Sequence, residues 1–213
     1  MRHYHEYTSL PDLVAESGPV ELQRPFAKED FVALAERYPE LRMERESNGF
    51  VTLMSPVKKG SGRRESGLHG LLFMWNYQTG QGEVYGPNGS YDLPDGATKM
   101  PDASWISPER LAAQGNEDDD EETYIRIVPD FVAEIRSSSD SLSKLQAKMT
   151  HSWMANGVRL AWLIDPYEEK AYIYRTGAQE PEVISDFANS ILSGEKLMPG
   201  FELPLKTMLR RVR

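Results

Sequence analysis

Residues 129–149 read PDFVAEIRSSSDSLSKLQAKM. Phe131, Val132, Ala133 and Ile135 have the apolar, β-prone character of a buried strand, and Glu134 stands among them. The polar Ser137–Asp140 stretch supplies helix-capping side chains, and a helix running to Gly157 follows. Then comes RLAWLID (159–165), nearly continuous in apolar residues and so expected at the centre of a sheet. Strand, helix and strand in that order over residues 131–164 predict a crossover unit with parallel strands. KAYIYRT (170–176) alternates and is expected to pair beside it across the turn at DPYEE.

Working outward, AKEDFVALAERYPE (27–40) has helical spacing at Phe31, Leu34 and Ala35. LRMERESNGFVTLMS (41–55) alternates around Ser47–Asn48–Gly49 and predicts a hairpin. SGRRESGLHGLLFMWNY (61–77) predicts a helix burying Leu68, Leu71, Leu72 and Trp75. Pro108–Ala113 predicts a short helix. The expected fold class is α/β: a central mixed sheet with strands near 83–86, 102–106, 130–136, 159–164 and 170–175, flanked by helices. Residues 1–27 read as an irregular lead-in, 28–205 as a single domain, and 206–213 as a basic tail.

The chain has 213 residues, 39% hydrophobic, enough for a substantial core. It has no cysteine, which excludes disulfides, thiolate metal sites and cysteine nucleophiles. No apolar run approaches the roughly 18 residues of a membrane span, and the N-terminus lacks a signal-peptide core, so the expected location is the cytoplasm. The net charge of −9 argues against a protein that simply coats DNA, although six of those charges lie in one run, Glu117–Glu122.

Two acids are set in core-like segments: Asp102 in KMPDASWIS and Glu134 in FVAEIRS. Burying an unpaired carboxylate is costly, so such groups are paired, protonated or bound to a metal. Two converging carboxylates repel, and a divalent cation resolves that conflict. Mg²⁺ takes one or two carboxylates together with waters and phosphate oxygens, a set suited to phosphodiester hydrolysis. The competing reading pairs each acid with an arginine such as Arg136 or Arg126. Lys144 and Lys148 share a face of the following helix, and either could reach back to the end of the Glu134 strand. His69 and His151 form no HExxH pattern that would support zinc, and Asp130 reads as a turn or cap acid. The basic stretch KKGSGRR (58–64) is a candidate phosphate contact through Arg63 and Arg64.

PDASWIS, PDFVAEIRSSSDSLSKLQAKM, NGVRLAWLIDP and LMPGFELPL together resemble the Uma family of restriction-endonuclease-like proteins in the PD-(D/E)xK nuclease superfamily. The resemblance covers about residues 28–205 and implies a restriction-endonuclease-like fold. It implies a metal-dependent endonuclease acting on DNA, with Mg²⁺ or Mn²⁺ held by Asp102 and Glu134. Arg136 stands where the usual motif has lysine, and an arginine is a poor proton carrier. In the family the lysine is displaced onto the next helix, where Lys148 is the best match and Lys144 the second. The stretch from Lys148 to Gly157 is one residue longer than the expected pattern, which leaves the choice of lysine open. Glu44 matches an early acidic position that could assist the metal, with Glu46 on the same face. Arg136, Arg63 and Arg64 would hold the nucleic acid backbone. A homodimer would suit cleavage of both strands, although no residue pattern shows one. The alternative is a non-catalytic nucleic-acid- or protein-binding regulator on a nuclease-derived fold, favoured by Arg136 and the acidic balance.

Overall fold

The computed structural model describes residues 9–17, 19–114 and 122–210. Most of the acidic run lies outside them. In chain order the elements are α1 (Leu10–Ser17), β1 (Val20–Glu21), α2 (Lys28–Arg37), β2 (Met43–Arg45), β3 (Val51–Leu53), α3 (Lys59–Thr79), β4 (Glu83–Tyr85), β5 (Tyr91–Asp92), β6 (Thr98–Lys99), β7 (Ala103–Ile106) and α4 (Pro108–Gln114). They continue with β8 (Phe131–Ile135), α5 (Leu142–Ala147), a π-helical turn (Lys148–Met154), β9 (Leu160–Asp165), β10 (Lys170–Arg175), β11 (Glu182–Ile184), β12 (Ile191–Ser193), β13 (Glu202–Pro204) and a 3₁₀ turn (Leu205–Met208).

Six strands form the main sheet in the order β11-β10-β9-β8-β7-β4. Within this sheet, β8 and β9 are the one parallel pair among the described strands, because the helical crossover joins them. All five strands expected from sequence lie in this mixed sheet. A second sheet, β1-β3-β2-β6-β5, is built on the predicted β2–β3 hairpin. No helix among the described residues is long and apolar enough to cross a membrane.

Both faces of β8 and β9 are covered, which explains their apolar runs. On one face Phe131, Ala133, Leu160 and Trp162 pack with Leu68, Leu72 and Trp75 of α3. On the other, Val132, Ala161 and Leu163 meet Met149 and Trp153 of the crossover helix. Leu71 was expected in the first core but is 39% exposed. The four-residue line Arg64–Leu68–Leu72 runs along the buried face instead, and Leu71 falls outside it.

The lead-in is more ordered than its sequence suggested. Its strand β1 pairs antiparallel with β3, and Val14 of α1 is fully buried. The start of the C-terminal segment is also held. Arg63 donates to the carbonyls of Thr207 and Leu209, and buried Arg64 donates through Nε to Met208 O at 2.7 Å. Arg64→Ala is therefore expected to cost about 1.5–3 kcal/mol, the range for hydrogen bonds to charged groups, read as a lowered urea midpoint.

Candidate active site

Antiparallel pairing of Ala103 with Ala133 sets the start of β7 beside the end of β8. Asp102, just ahead of β7, thereby lies next to Glu134. Its own N–H donates to Ala133 O at 3.1 Å, and its Oδ2 accepts the Ile135 N–H at 2.7 Å. The crossover helix departs from the same end of β8. Lys148 reaches back and places Nζ 2.7 Å from Glu134 Oε1 and 3.1 Å from Met100 O. Glu44 enters from the second sheet on β2, with its Oε1 2.6 Å from the same ammonium. Two sheets and one helix thus converge on a cleft of about 630 Å³ that all four side chains line.

The charges are unequally balanced. Glu44 is buried, which alone would raise its pKa, but Lys148 and Lys99 outweigh burial and hold it at about 2. Lys99 is 1% exposed; it lies 3.5 Å from Glu44 Oε2 and also pairs with Glu46. Burial pushes Glu134 up to about 7; Lys148 opposes this, and Asp102 and Glu44 reinforce it. Burial likewise lifts Asp102 to about 7, helped by the charge of Glu65 and opposed by the Ile135 N–H and Lys148. Lys148 is driven above its ordinary value, because its two carboxylate partners overcome desolvation.

Three of the side chains singled out in the sequence, Asp102, Glu134 and Lys148, lie together, and Glu44 joins them. Glu44 is engaged with two lysines, Lys148 and Lys99. Lys144 lies on the cleft rim and is exposed. Arg136 leans over the end of β9, with Nη1 2.6 Å from Asp165, and its guanidinium carbon lies 5.8 Å from the centre of the Tyr167 ring. Arg63 and Arg64 are engaged with the C-terminal segment, so all three arginines expected on a nucleic acid backbone have protein partners. Asp130 sits fully buried at the opposite end of β8, accepting the Ser107 N–H and pairing with Arg110 and Arg159. Among the described residues no three His, Asp or Glu side chains form a ready-made metal cage.

Sequence reading missed Lys99 and Glu65. Lys99 precedes MPD, in a stretch without period. Glu65 lies in the basic GRRESG stretch of α3, where its neighbours drew attention to phosphate instead. Half-buried Glu65 lines the cleft, and burial raises its pKa.

The Uma2 family model, described as "Putative restriction endonuclease", matches residues 28–206. The chain belongs to this family. A crystal structure from Anabaena variabilis, described as a "putative nuclease belonging to DUF820", aligns with a TM-score of 0.71 at 21% identity, covering 86% of this chain and 97% of that one. The similarity establishes the restriction-endonuclease-like fold of this Uma2 member. Among curated proteins, none matches the sequence.

Proposed function

We propose that the chain is a metal-dependent endonuclease that hydrolyses DNA phosphodiester bonds, with Mg²⁺ or Mn²⁺ held by Asp102 and Glu134. The observation that carries this reading is Lys148 Nζ at the end of β8, bonded to Glu134 and Glu44. In a nuclease-derived binding protein the same lysine would serve only to balance the two buried carboxylates. A hydrolytic site also needs its charge, because charge builds up on the phosphate in the transition state.

The residues fit the cation. Both candidate ligands offer hard carboxylate oxygens, and both have raised pKa values from burial, with the charge of Asp102 adding to the shift on Glu134. A dication stabilises their ionised forms. Asp102 spends Oδ2 on a backbone N–H, and the hydrogen bonds to the Glu134 side chain among the described residues fall on Oε1. Two carboxylates with the remaining positions filled by water and phosphate oxygens is a Mg²⁺-like set. When bound, the cation supplies a more acidic water and electrostatic stabilisation of the phosphoryl oxygens.

The protein groups do the rest. Glu44, fixed in its ionised form, keeps Lys148 charged and aimed into the cleft. The three N–H groups of the ammonium face Glu44, Glu134 and Met100 O, so one of these would have to be released for the ammonium to donate to the attacking water or to a non-bridging phosphate oxygen. Lys58 and Lys144 line the cleft and are exposed, placing positive charge where a nucleic acid backbone would pass. Pairing of two copies across a two-fold axis would bring two such sites to two strands, and sedimentation with and without duplex tests that.

The assay is nicking of supercoiled plasmid with Mg²⁺, Mn²⁺ or chelator. Wild type is expected to nick only with metal, and Glu134→Ala is expected not to nick. Equal nicking by Glu134→Ala would exclude this site as the source of the activity.

A further inference from the structure

We infer that Trp153, brought round by the π-helical turn, positions the Glu134 carboxylate for its cation. This rests on the reading of Glu134 as a metal ligand.

In an ideal α-helix, residues five apart diverge by about 140° around the axis. Trp153 is five residues after Lys148, yet both reach the same oxygen. The indole Nε1 donates to Glu134 Oε1 at 2.9 Å, and Lys148 Nζ lies 2.7 Å from it. The helical register accounts for this. Residues Lys148–Met154 form a π-helix, with the Ala155 N–H bonded to Thr150 O, a five-residue step. Each such step holds one residue more than an α-turn, which swings Trp153 back toward the side of Lys148. π-Turns are stored irregularities that concentrate at functional sites.

The indole is locked from behind. Trp153 is fully buried, and Tyr91 meets it edge-on at 6.0 Å. Tyr91 is itself fixed by a 2.6 Å hydrogen bond between its hydroxyl and Ser104 of β7. The ring also lies 5.8 Å from Lys148 Nζ, so one side chain steadies both the lysine and the carboxylate. With two donors on Oε1, Oε2 would be the oxygen left to a cation. Trp153 touches neither cation nor substrate in this scheme, and it acts through Glu134.

The test compares wild type with Trp153→Phe, which retains an aromatic ring and removes the N–H. Mn²⁺ affinity is read by calorimetry and folding by thermal melting. Loss of a partner behind a metal ligand typically weakens binding about 10- to 100-fold. That loss is expected in a variant that still melts cooperatively, with kcat reduced and KM for DNA unchanged. An unchanged Mn²⁺ affinity overturns the proposal. A readout without metal is the indole N–H signal in a ¹⁵N spectrum. The signal absent from Trp153→Phe should shift in Glu134→Gln, and a signal that does not move overturns the contact. If wild type binds no Mn²⁺, the ligand reading of Glu134 fails, and the indole signal alone then decides whether Trp153 holds that carboxylate.

Discussion

Lys148→Met is expected to reduce metal-dependent cleavage by about 10²- to 10³-fold, the usual cost of deleting one donor to a developing oxyanion. The same change should destabilise the fold. Lys148 is the shared partner of two buried carboxylates, 2.6 Å from Glu44 and 2.7 Å from Glu134. Removing it leaves Glu134 without its ammonium and Glu44 with Lys99 alone, and breaking a buried ion pair costs about 3–5 kcal/mol. The loss should depend on pH. In wild type Glu44 is held at about 2, below its ordinary value, so its ionic contribution is complete above about pH 4.5 and fades as pH falls toward 2. The difference between wild type and variant should therefore be largest at neutral pH and shrink in acid. Lys144→Met, at an exposed position on the rim, should leave stability nearly unchanged. Urea unfolding of wild type and both variants from pH 7 down to about pH 2.5 measures this. Equal stability of Lys148→Met and wild type at pH 7 would remove the basis for the shared ion pair.

Asp102→Asn is expected to abolish metal-dependent cleavage while making the protein more stable in mild alkali. The carboxyl of Asp102 is raised to about 7 by burial, with Glu65 adding to the effect. Here the folded state holds the proton more tightly than the unfolded chain. Stability from this group is therefore greatest below about pH 4, falls as pH rises, and is fully lost above about 7. A shift of about three pKa units corresponds to a few kcal/mol. Asparagine mimics the protonated acid and can still accept the Ile135 N–H. The variant should match wild type near pH 4 and exceed it by up to a few kcal/mol at pH 8. Mn²⁺ should raise the wild-type melting temperature at pH 8 and leave that of the variant in place. A variant equally destabilised at both pH values would contradict the raised carboxyl.

The part of the fold legible in the sequence was the part with strong period. The apolar runs of β8 and β9 pointed to covered strands, and the helix between them to a parallel pair. Asp102 and Glu134 stood out because a carboxylate in such a run demands a partner. Other features had no local signal. Arg63 and Arg64 find their acceptors some 144 residues away, so their neighbours suggested a phosphate contact instead. Arg136 follows Glu134 by two residues, but β8 ends at Ile135, and the side chain leans to Asp165 on the neighbouring strand. Lys99 belongs to a two-residue strand, too short to carry a period. The π-turn had no signal in the sequence, and its consequence, Trp153 on the face of Lys148, required the helix itself.

The most direct measurement is a calorimetric titration of Mn²⁺ into wild type and Glu134→Ala at pH 8, above the raised values of Asp102 and Glu134. The account predicts saturable binding to wild type with a stoichiometry near one and none to the variant. Equal binding to both proteins, or none to wild type, would contradict it and leave Glu134 as the structural partner of Lys148 and Trp153.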